Sequence, residues 1–319
     1  MKQSLMVAFV VSLIAGYGAL PAPAAPADAQ NGGGDRITKA QLDRASFCGI
    51  GRRHECSPKV AVARGLFQTG LRPQFAPGVK CRGIDEHWAI SYTYKRNREA
   101  YHAGIDLPAP FGTPILAVAS GTVVGVYNGK GHLGIHIILR HTPEDTGLPI
   151  YVYTLYGHLQ HMPKLHVGDR VRMGDMLGPT GNSGLTRAHA RRRGGRGGKG
   201  GKGGRGRGNH EGRRNPNNRG RGRHNNHGGV GGGVRRPAVH FGVYYSSKPQ
   251  YAHLRGIVIP ANGYWMDPVA LFRAKPPFDS KSMRALPAAD KRVPIPYLLS
   301  DGSAHAAGTK LAWPYACHR

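Results

Sequence analysis

The chain has 319 residues, and its 45 Lys and Arg against 17 Asp and Glu give a formal net charge of +28 at pH 7. This length accommodates one sizeable domain with extensions, or two small domains. Beyond the first thirty residues no stretch is apolar enough to cross a bilayer, which excludes a protein with several membrane spans.

The first thirty residues have the composition of a targeting segment. Lys2 gives a positive start, an apolar stretch runs from Leu5 to Leu20, and small residues follow as far as Ala29. This pattern predicts a signal peptide over residues 1–29, and therefore an exported, soluble protein of the periplasm, cell envelope or extracellular space. An uncleaved anchor is the alternative, although the apolar stretch is short for a span.

Residues 30–87 form a polar N-terminal extension that contains most of the cysteines. We expect a short helix over Ile37 to Phe47 and mainly loop from Pro58 to Cys81. An even set of cysteines in an exported protein favours two disulfides, and three pairings are possible. We favour Cys48 with Cys56 and Cys81 with Cys317 over the other pairings, and a structural zinc on the cysteines is the competing interpretation. The four cysteines are Cys48, Cys56, Cys81 and Cys317.

From Trp88 short runs rich in Val, Ile, Tyr and Thr alternate with Gly, Pro and Asn turns. With no amphipathic helix among them, they predict a mostly β domain, a compact antiparallel sandwich or barrel-like fold. A tight turn at Val167 to Val171 and a glycine-rich corner at Leu177 to Gly184 follow the fifth run. The five runs are Ala89 to Tyr94, Pro114 to Val118, Gly121 to Tyr127, Gly134 to Arg140 and Ile150 to Tyr156.

Residues 187–236 interrupt this pattern with a basic insertion of Gly, Arg, Lys, Asn and His. The insertion holds sixteen Lys or Arg and one acid, Glu211, so it supplies about half of the net charge. With almost nothing to bury, it cannot offset its ordering entropy, and we expect it to be disordered. We expect it to contact anionic wall polymers or lipid headgroups. A nucleic-acid partner is not expected, because the insertion contains no Phe, Tyr or Trp for base stacking.

The β pattern resumes at Ala238 with a strand that runs to Tyr244. A short helix, Val269 to Arg273, is expected to close the domain, which therefore spans residues 88–273. Residues 274–319 are predicted to be an extended, proline-rich tail. We expect the protein to be a monomer.

Four residues with metal-ligand or proton-transfer side chains lie within the β pattern. His102 and Asp106 are four residues apart with Gly104 between them, and His158 ends one strand while His240 lies inside another. Two His and one Asp, with a fourth position left for water, are typical of a catalytic zinc site. Such a zinc lowers the pKa of its water to roughly 7 and polarises a carbonyl, which allows amide hydrolysis with a general base nearby.

Most of the 17 histidines are expected to have ordinary roles. A lone histidine on a strand is more often a hydrogen-bonded structural residue than a ligand, and a histidine in a basic loop is usually solvated. We expect the first role for His132, His136, His141, His161 and His166, and the second for His210, His224 and His227.

The order of these motifs resembles the lysostaphin/LytM-type zinc endopeptidases of bacterial cell walls. Residues 102–106 are similar to the family's His-x-x-x-Asp motif, and Tyr156-Gly-His-Leu159 is similar to its catalytic-histidine motif. His240-Phe-Gly-Val243 is similar to the strand that supplies its third ligand. The resemblance also covers the turn at 167–171, the glycine corner and Asp267-Pro268. It implies one zinc on His102, Asp106 and His240, assistance by His158, and cleavage of peptide bonds in peptidoglycan.

One position departs from the family pattern. The family's last motif is His-x-His, and Ala238 stands where its first histidine, which helps stabilise the transition state, is expected. His189 could replace that histidine if the insertion has split the motif, or it could be the first polar residue of a disordered arm. The departure also leaves open a non-catalytic relative that binds the wall or activates another hydrolase.

Overall fold

The computed structural model describes residues 34–51, 55–85, 102–129, 131–184, 236–306 and 308–319. Those residues belong to one compact unit that runs from Gly32 to Arg319. The predicted signal peptide, His189 and nearly all of the basic insertion lie outside them, so the predictions for these segments stay predictions. None of the helices described is long and apolar enough to span a membrane.

Strands dominate the described residues, and the helices are short. The strands, numbered in chain order, are β1 (Arg36–Ile37), β2 (Arg72–Gln74), β3 (Ile105–Pro108), β4 (Pro114–Leu116), β5 (Gly121–Asn128), β6 (Ile135–His141), β7 (Tyr151–Gly157), β8 (Arg170–Val171), β9 (Met176–Pro179), β10 (Ala238–Ser246), β11 (Tyr251–Leu254), β12 (Ile257–Pro260), β13 (Tyr264–Met266), β14 (Arg292–Pro294), β15 (Tyr297–Leu298) and β16 (Ala304–His305). The α-helices are α1 (Arg44–Gly49), α2 (Pro58–Ala63), α3 (Pro143–Thr146), α4 (Pro268–Leu271) and α5 (Ser280–Ala285), and Lys39–Gln41 and Ala288–Lys291 form 3₁₀ turns.

The central sheet has seven antiparallel strands. Six follow the order β13-β10-β7-β6-β5-β8, and β3 also pairs with β10. β3 and β13 lie one after the other along the edge of β10 that faces away from β7, because they pair with different parts of β10. The predicted mostly β fold is confirmed, and the described strands form an open sheet with smaller sheets around it, not a closed barrel.

Aromatic side chains form the core on one face of this sheet. The rings of Tyr153 in β7 and Tyr244 in β10 stack with centroids 5.4 Å apart, and Trp265 in β13 meets Tyr244 edge-on at 5.5 Å. The indole Nε1–H of Trp265 donates to the carbonyl of Gly49 in α1 (3.0 Å). Rings of this size bury about 150–250 Å² each. Because α1 holds one of these rings by a hydrogen bond, the N-terminal extension is part of the core that stabilises the sheet.

The predicted strands agree with the structure to within two residues. Four of the five runs correspond to β4, β5, β6 and β7, and the strand predicted from Ala238 to Tyr244 is β10. The helix predicted from Val269 to Arg273 is α4, which begins one residue earlier at Pro268. The first run, Ala89 to Tyr94, lies outside the described residues. Alternating β-branched and aromatic residues between Gly and Asn turns were therefore a sufficient signal for these strands.

One expectation for the N-terminal extension is wrong, and a second, correct over most of its segment, misses two short elements. The segment predicted as one helix, Ile37 to Phe47, contains the end of β1, a 3₁₀ turn and the start of α1. The side chain of Asp43 accepts a hydrogen bond from the backbone of Ser46, so the helix begins after Asp43 instead. The segment predicted as mainly loop contains α2 and β2, and α2 begins with Ser57 as its N-cap and Pro58 in its first turn.

The expectation of an extended tail is also corrected. Residues 276–319 contain α5, a 3₁₀ turn and β14 to β16, and Trp313 and Tyr315 are fully buried. β14 pairs in parallel with β2, and the Trp313 Nε1–H donates to the carbonyl of Arg82 (2.9 Å). The pairing partners are far away in sequence, and for that reason local composition gave no sign of them.

Both favoured disulfides are present, Cys48–Cys56 and Cys81–Cys317. The second joins positions 236 residues apart, which ties the C-terminal segment to the start of the main domain. All four cysteines are oxidised, so the alternative of a structural zinc on their thiolates is wrong.

His141 makes the stability of the fold depend on pH. Its ring is fully buried between the carbonyl of Ser120 (2.6 Å) and the hydroxyl of Thr154 (2.7 Å), and burial lowers its pKa from 6.5 to about 4. Between these values the unfolded chain binds the proton and the folded chain does not. The contribution of His141 to the free energy of unfolding is therefore fully present above pH 6.5. It falls by about 3 kcal/mol as the pH drops to 4.

We expect His141→Gln to flatten this loss, as measured by denaturant unfolding between pH 4 and 7. His161→Gln, which changes an exposed histidine, is the control and should keep the wild-type slope. An unchanged slope in His141→Gln would assign the acid sensitivity to another group.

Candidate metal centre

The strand register places His240 beside Asp106. In β10, His240 lies directly opposite Asp106 of β3 on one side and opposite Gly157 of β7 on the other. Side chains of directly opposite residues in an antiparallel pair lie on the same face. The imidazole and the carboxylate are therefore brought together by backbone pairing alone.

His102 completes a cluster with these two side chains. The His102 Nε2 lies 3.1 Å from the Asp106 Oδ1, and the His240 Nδ1 lies 3.0 Å from each of these atoms. His102 and His240 are buried and Asp106 is half-buried. Gly104 permits the close approach, because a Cβ there would lie 2.6 Å from the carbonyl oxygen of Phe241 and 2.7 Å from the His240 ring.

The three atoms fit a zinc ion by number, chemistry and spacing. Two imidazole nitrogens and one carboxylate oxygen point to one another, and they form the one His, Cys, Asp or Glu cluster of this kind found among the described residues. Zinc bonds of about 2.0–2.1 Å at tetrahedral angles place neighbouring ligand atoms about 3.3 Å apart, close to the edges of this triangle. The sequence predicted these ligands, and the structure brings them together; that they bind a metal stays a prediction.

The cluster keeps its carboxyl group ionised. Burial by itself raises the pKa of Asp106, but the nearby charges of His102 and His240 and the hydrogen bonds from both rings outweigh it. The pKa of Asp106 is therefore held well below its usual value of 3.8. A carboxylate that stays ionised at neutral pH is ready to bind a cation without first losing a proton.

His158 lies beside the cluster in a constrained backbone conformation. Its ring centroid is 5.8 Å from that of His240, and its φ of +66° is in the left-handed region, which costs a non-glycine residue roughly 1–2 kcal/mol. The His158 backbone N–H donates to the carbonyl of Leu133 (2.9 Å). Such local strain is typical of functional sites.

A hydrogen bond to the glycine corner sets the tautomer of His158. The His158 Nδ1 lies 3.0 Å from the carbonyl oxygen of Ser183, which can only accept. The proton of a neutral ring is therefore on Nδ1 and the lone pair is on Nε2. From the sequence we described Leu177 to Gly184 as a glycine-rich corner and missed this role of Ser183. Every residue has a backbone carbonyl, so the residue type does not indicate which carbonyl accepts the hydrogen bond.

Glycines on both sides permit this contact. A Cβ on Gly134 would overlap the backbone of Ser183, and one on Gly184 would lie 2.6 Å from the carbonyl oxygen of His132. The Ser183 hydroxyl accepts from the backbone N–H of Ile135 (2.9 Å). The start of β6 and the glycine corner therefore fit together as one support for His158.

Ala238 lies on the same face of β10 as His240, two residues away. It is buried, and its backbone N–H donates to the carbonyl of Gly181 (3.1 Å). A histidine at this position would project from the same face as His240, so the departure found in the sequence falls inside the candidate site. His189, the suggested replacement, lies outside the described residues.

Two of the five histidines expected to have structural roles, His136 and His141, are buried and hydrogen-bonded. His136 is buried with its two ring nitrogens 2.8 Å from the carbonyl oxygens of Gly134 and Gly256, and His141 is buried and hydrogen-bonded as described above. His161 and His166 are exposed.

Comparison with protein families relates this site to a known class. Residues 100–192 match the family model described as Peptidase family M23, a span that contains His102, Asp106 and His158 and ends before His240. An uncharacterized metalloprotease of Buchnera aphidicola subsp. Baizongia pistaciae is 35% identical over 87 residues, which are 27% of this chain and 20% of that protein. One from Haemophilus influenzae is 33% identical over 85 residues, 27% of this chain and 16% of that protein. The chain thus spans about a fifth or less of these relatives.

Solved structures give partial overlaps. The catalytic domain of a mutant of the prophage-encoded M23 protein EnpA from Enterococcus faecalis is 20% identical, with a TM-score of 0.32 over 60% of this chain and 95% of that one. The catalytic domain of lysostaphin from Staphylococcus simulans is 19% identical, with a TM-score of 0.27 over 46% and 71%.

The support for His158 can be tested at Gly134. Gly134→Ala should displace Ser183 and destabilise the fold by about 1–2 kcal/mol, because the residue also has a positive φ of 62°. With its acceptor moved, the His158 ring should gain a population of the Nε2–H tautomer, visible in long-range ¹H–¹⁵N spectra of the imidazoles. Gly131→Ala, where a Cβ meets nothing within 4 Å, is the matched control. An identical His158 tautomer in both variants would contradict this role of Ser183.

Proposed function

We propose a zinc peptidase function for this chain, whose residues 100–192 match the model of peptidase family M23. Its substrate on this proposal is peptidoglycan, and the bonds it cleaves are peptide bonds of the stem peptides or cross-links. His102, Asp106 and His240 would hold one zinc per chain, and His158 would act beside it. The chain works as an exported monomer.

The observation that carries this proposal is the triangle of ligand atoms with His158 next to it. Three protein ligands with mutual distances of 3.0–3.1 Å are the number typical of a catalytic zinc, since structural zinc usually has four. Asp106 and His240 lie on strands held by pairing on both edges of β10, so the positions of these two side chains are fixed before any ion binds. Such preorganisation is what a hydrolytic site needs.

Each side chain of the site has a separate task. When bound, zinc supplies a Lewis acid and lowers the pKa of its water. Asp106, ionised by its surroundings, neutralises part of the cation's charge. His158, with its proton on Nδ1 toward Ser183, offers the Nε2 lone pair to a proton or a hydrogen-bond donor of the substrate.

Export and a wall substrate are supported by features outside the site. Two disulfides are typical of proteins that fold in an oxidising compartment. The order of motifs resembles the lysostaphin/LytM-type endopeptidases, and a strongly basic chain favours contact with anionic polymers of an envelope, which we assign mainly to residues 187–236.

A second candidate is a non-catalytic protein that binds the wall or activates another hydrolase. Ala238 favours it, because its place on the metal-bearing face lacks a donor, and loss of one such donor can cost ~10²–10³ in rate. The intact set of three ligands favours the peptidase.

Metal analysis and activity together test the proposal. We expect one zinc per chain by elemental analysis, lost in His102→Ala and in His240→Ala. His158→Ala should keep zinc and lower the rate of peptidoglycan cleavage by ~10²–10⁴, since a proton-transfer group contributes that much. Muropeptide analysis with and without a chelator gives the activity, and His161→Ala, an exposed position, should leave both readouts unchanged. Zinc-free but folded wild-type protein, or zinc retained in the double ligand variant, would refute the metal site.

The role of Ala238 is tested by two substitutions. If His189 replaces the missing donor, His189→Ala should reduce turnover at least about tenfold with zinc intact, and Ala238→His should restore it. If His189→Ala has no effect while Ala238→His alone raises activity, His189 is not part of the site. The natural enzyme would then be a slow one that uses zinc and His158.

A further inference from the structure

We propose that a basic cavity away from the metal centre binds phosphate groups of a soluble polyanion. The cavity has a volume of about 440 Å³ and lies between the end of α4 and the strand β14 of the C-terminal segment. Its charged lining residues are Arg273, Lys275 and Arg292, with Asp290 as the one acid. It shares no residue with the candidate metal site, so this proposal stands whether or not the chain is a peptidase.

The cations of this cavity lack acidic partners. Among the residues that the structure describes, none of Arg273, Lys275 and Arg292 forms an ion pair with a carboxylate, and Asp290 forms none either. Three cations against one acid leave an excess of positive charge around a concave space. Clefts lined by one sign of charge focus the electrostatic potential and concentrate ions of opposite sign.

Strand pairing adds a fourth cation next to the cavity. β2 and β14 are parallel, and Arg72 lies directly beside Arg292 in their register. Like charges on directly neighbouring strand positions are destabilising. Both side chains are exposed, and the described part of the chain supplies no carboxylate to either, so an anion between them would relieve the repulsion.

One guanidinium of the cavity is already held in place. The Arg273 Nη1 donates to the carbonyl of Pro277 (3.2 Å) and contacts the Met283 sulfur (3.0 Å). A fixed guanidinium loses less conformational entropy when it binds, and its planar fork matches the oxygens of a phosphate. The two arginines of the lining, Arg273 and Arg292, together with Lys275, therefore favour a phosphate ligand over a simple inorganic cation or an apolar molecule.

The surroundings of the cavity select the kind of phosphate. Stable binding to a membrane surface is favoured by exposed apolar side chains beside the cations, but the large exposed hydrophobic residues of the described chain, Phe111, Met162, Val167 and Met176, lie on other segments. A nucleic-acid site needs aromatic faces for the bases, and the one aromatic residue of the lining, Phe272, is buried. The ligand class that fits best is a phosphodiester-linked polyol or sugar polymer, because its phosphates require only cationic side chains from the protein.

Lysine footprinting on the full-length protein tests this site directly. Acetylation of each lysine is followed by mass spectrometry with and without poly(glycerol phosphate). We expect the polymer to slow acetylation of Lys275 roughly fivefold, and to slow that of Lys59 and Lys164, exposed lysines on other segments, much less. Reading each lysine separately keeps this site distinct from the basic insertion.

A charge reversal assigns the effect to the cavity. Arg292→Glu should remove most of the protection of Lys275, while Arg172→Glu, the same charge change at an exposed arginine elsewhere, should keep it. Protection of Lys275 no greater than that of Lys59 and Lys164, or unaffected by Arg292→Glu, would overturn the proposal. Equal protection by polyglutamate or by phosphatidylglycerol vesicles at matched charge would overturn the assignment to a soluble phosphate polymer. Equal protection by a single-stranded oligonucleotide would overturn the preference for a polyol or sugar polymer over a nucleic acid.

Discussion

The antiparallel register of β10 between β3 and β7 is the constraint on which the site depends. It sets His240 opposite Asp106 on one side and opposite Gly157, one residue before His158, on the other. A slip of one residue would turn His240 to the opposite face of the sheet and separate all of these side chains. The register is held by buried aromatic pairs farther along the strands, such as Tyr153 with Tyr244. The geometry of the site therefore depends on the packing of the core.

The chain termini contribute to that core from a distance. α1 covers the aromatic face of the sheet, the C-terminal segment inserts Trp313, and the Cys81–Cys317 disulfide joins the two extensions. In the main sheet the pairs β5–β6, β6–β7 and β10–β13 join strands that are close in sequence, whereas β10 pairs with β3 and β7 across long stretches of chain. The extensions therefore act as an outer layer that holds the sheet without supplying a ligand to the candidate metal centre.

The sequence predicted four of the seven strands of the central sheet, β5, β6, β7 and β10, and it named the three side chains that the structure brings together. Alternating apolar residues and glycine turns predicted β4 to β7 and β10, and the spacing of His102 and Asp106 predicted two neighbouring ligands. It was insufficient where structure depends on pairing between distant segments, as in β2 with β14. It also missed the Ser183 carbonyl, because a hydrogen bond from His158 to a main-chain oxygen requires a fold and not a particular side chain.

The central claim is that His102, Asp106 and His240 form one zinc site as positioned by β3 and β10. Anomalous diffraction at the zinc edge, on crystals of the protein purified without added chelator, tests it most directly. A single peak about 2 Å from the His102 Nε2, the Asp106 Oδ1 and the His240 Nδ1 is the predicted result. A zinc peak bound by other side chains, or a fully ordered triangle with no peak in protein that has had access to zinc, would contradict the account.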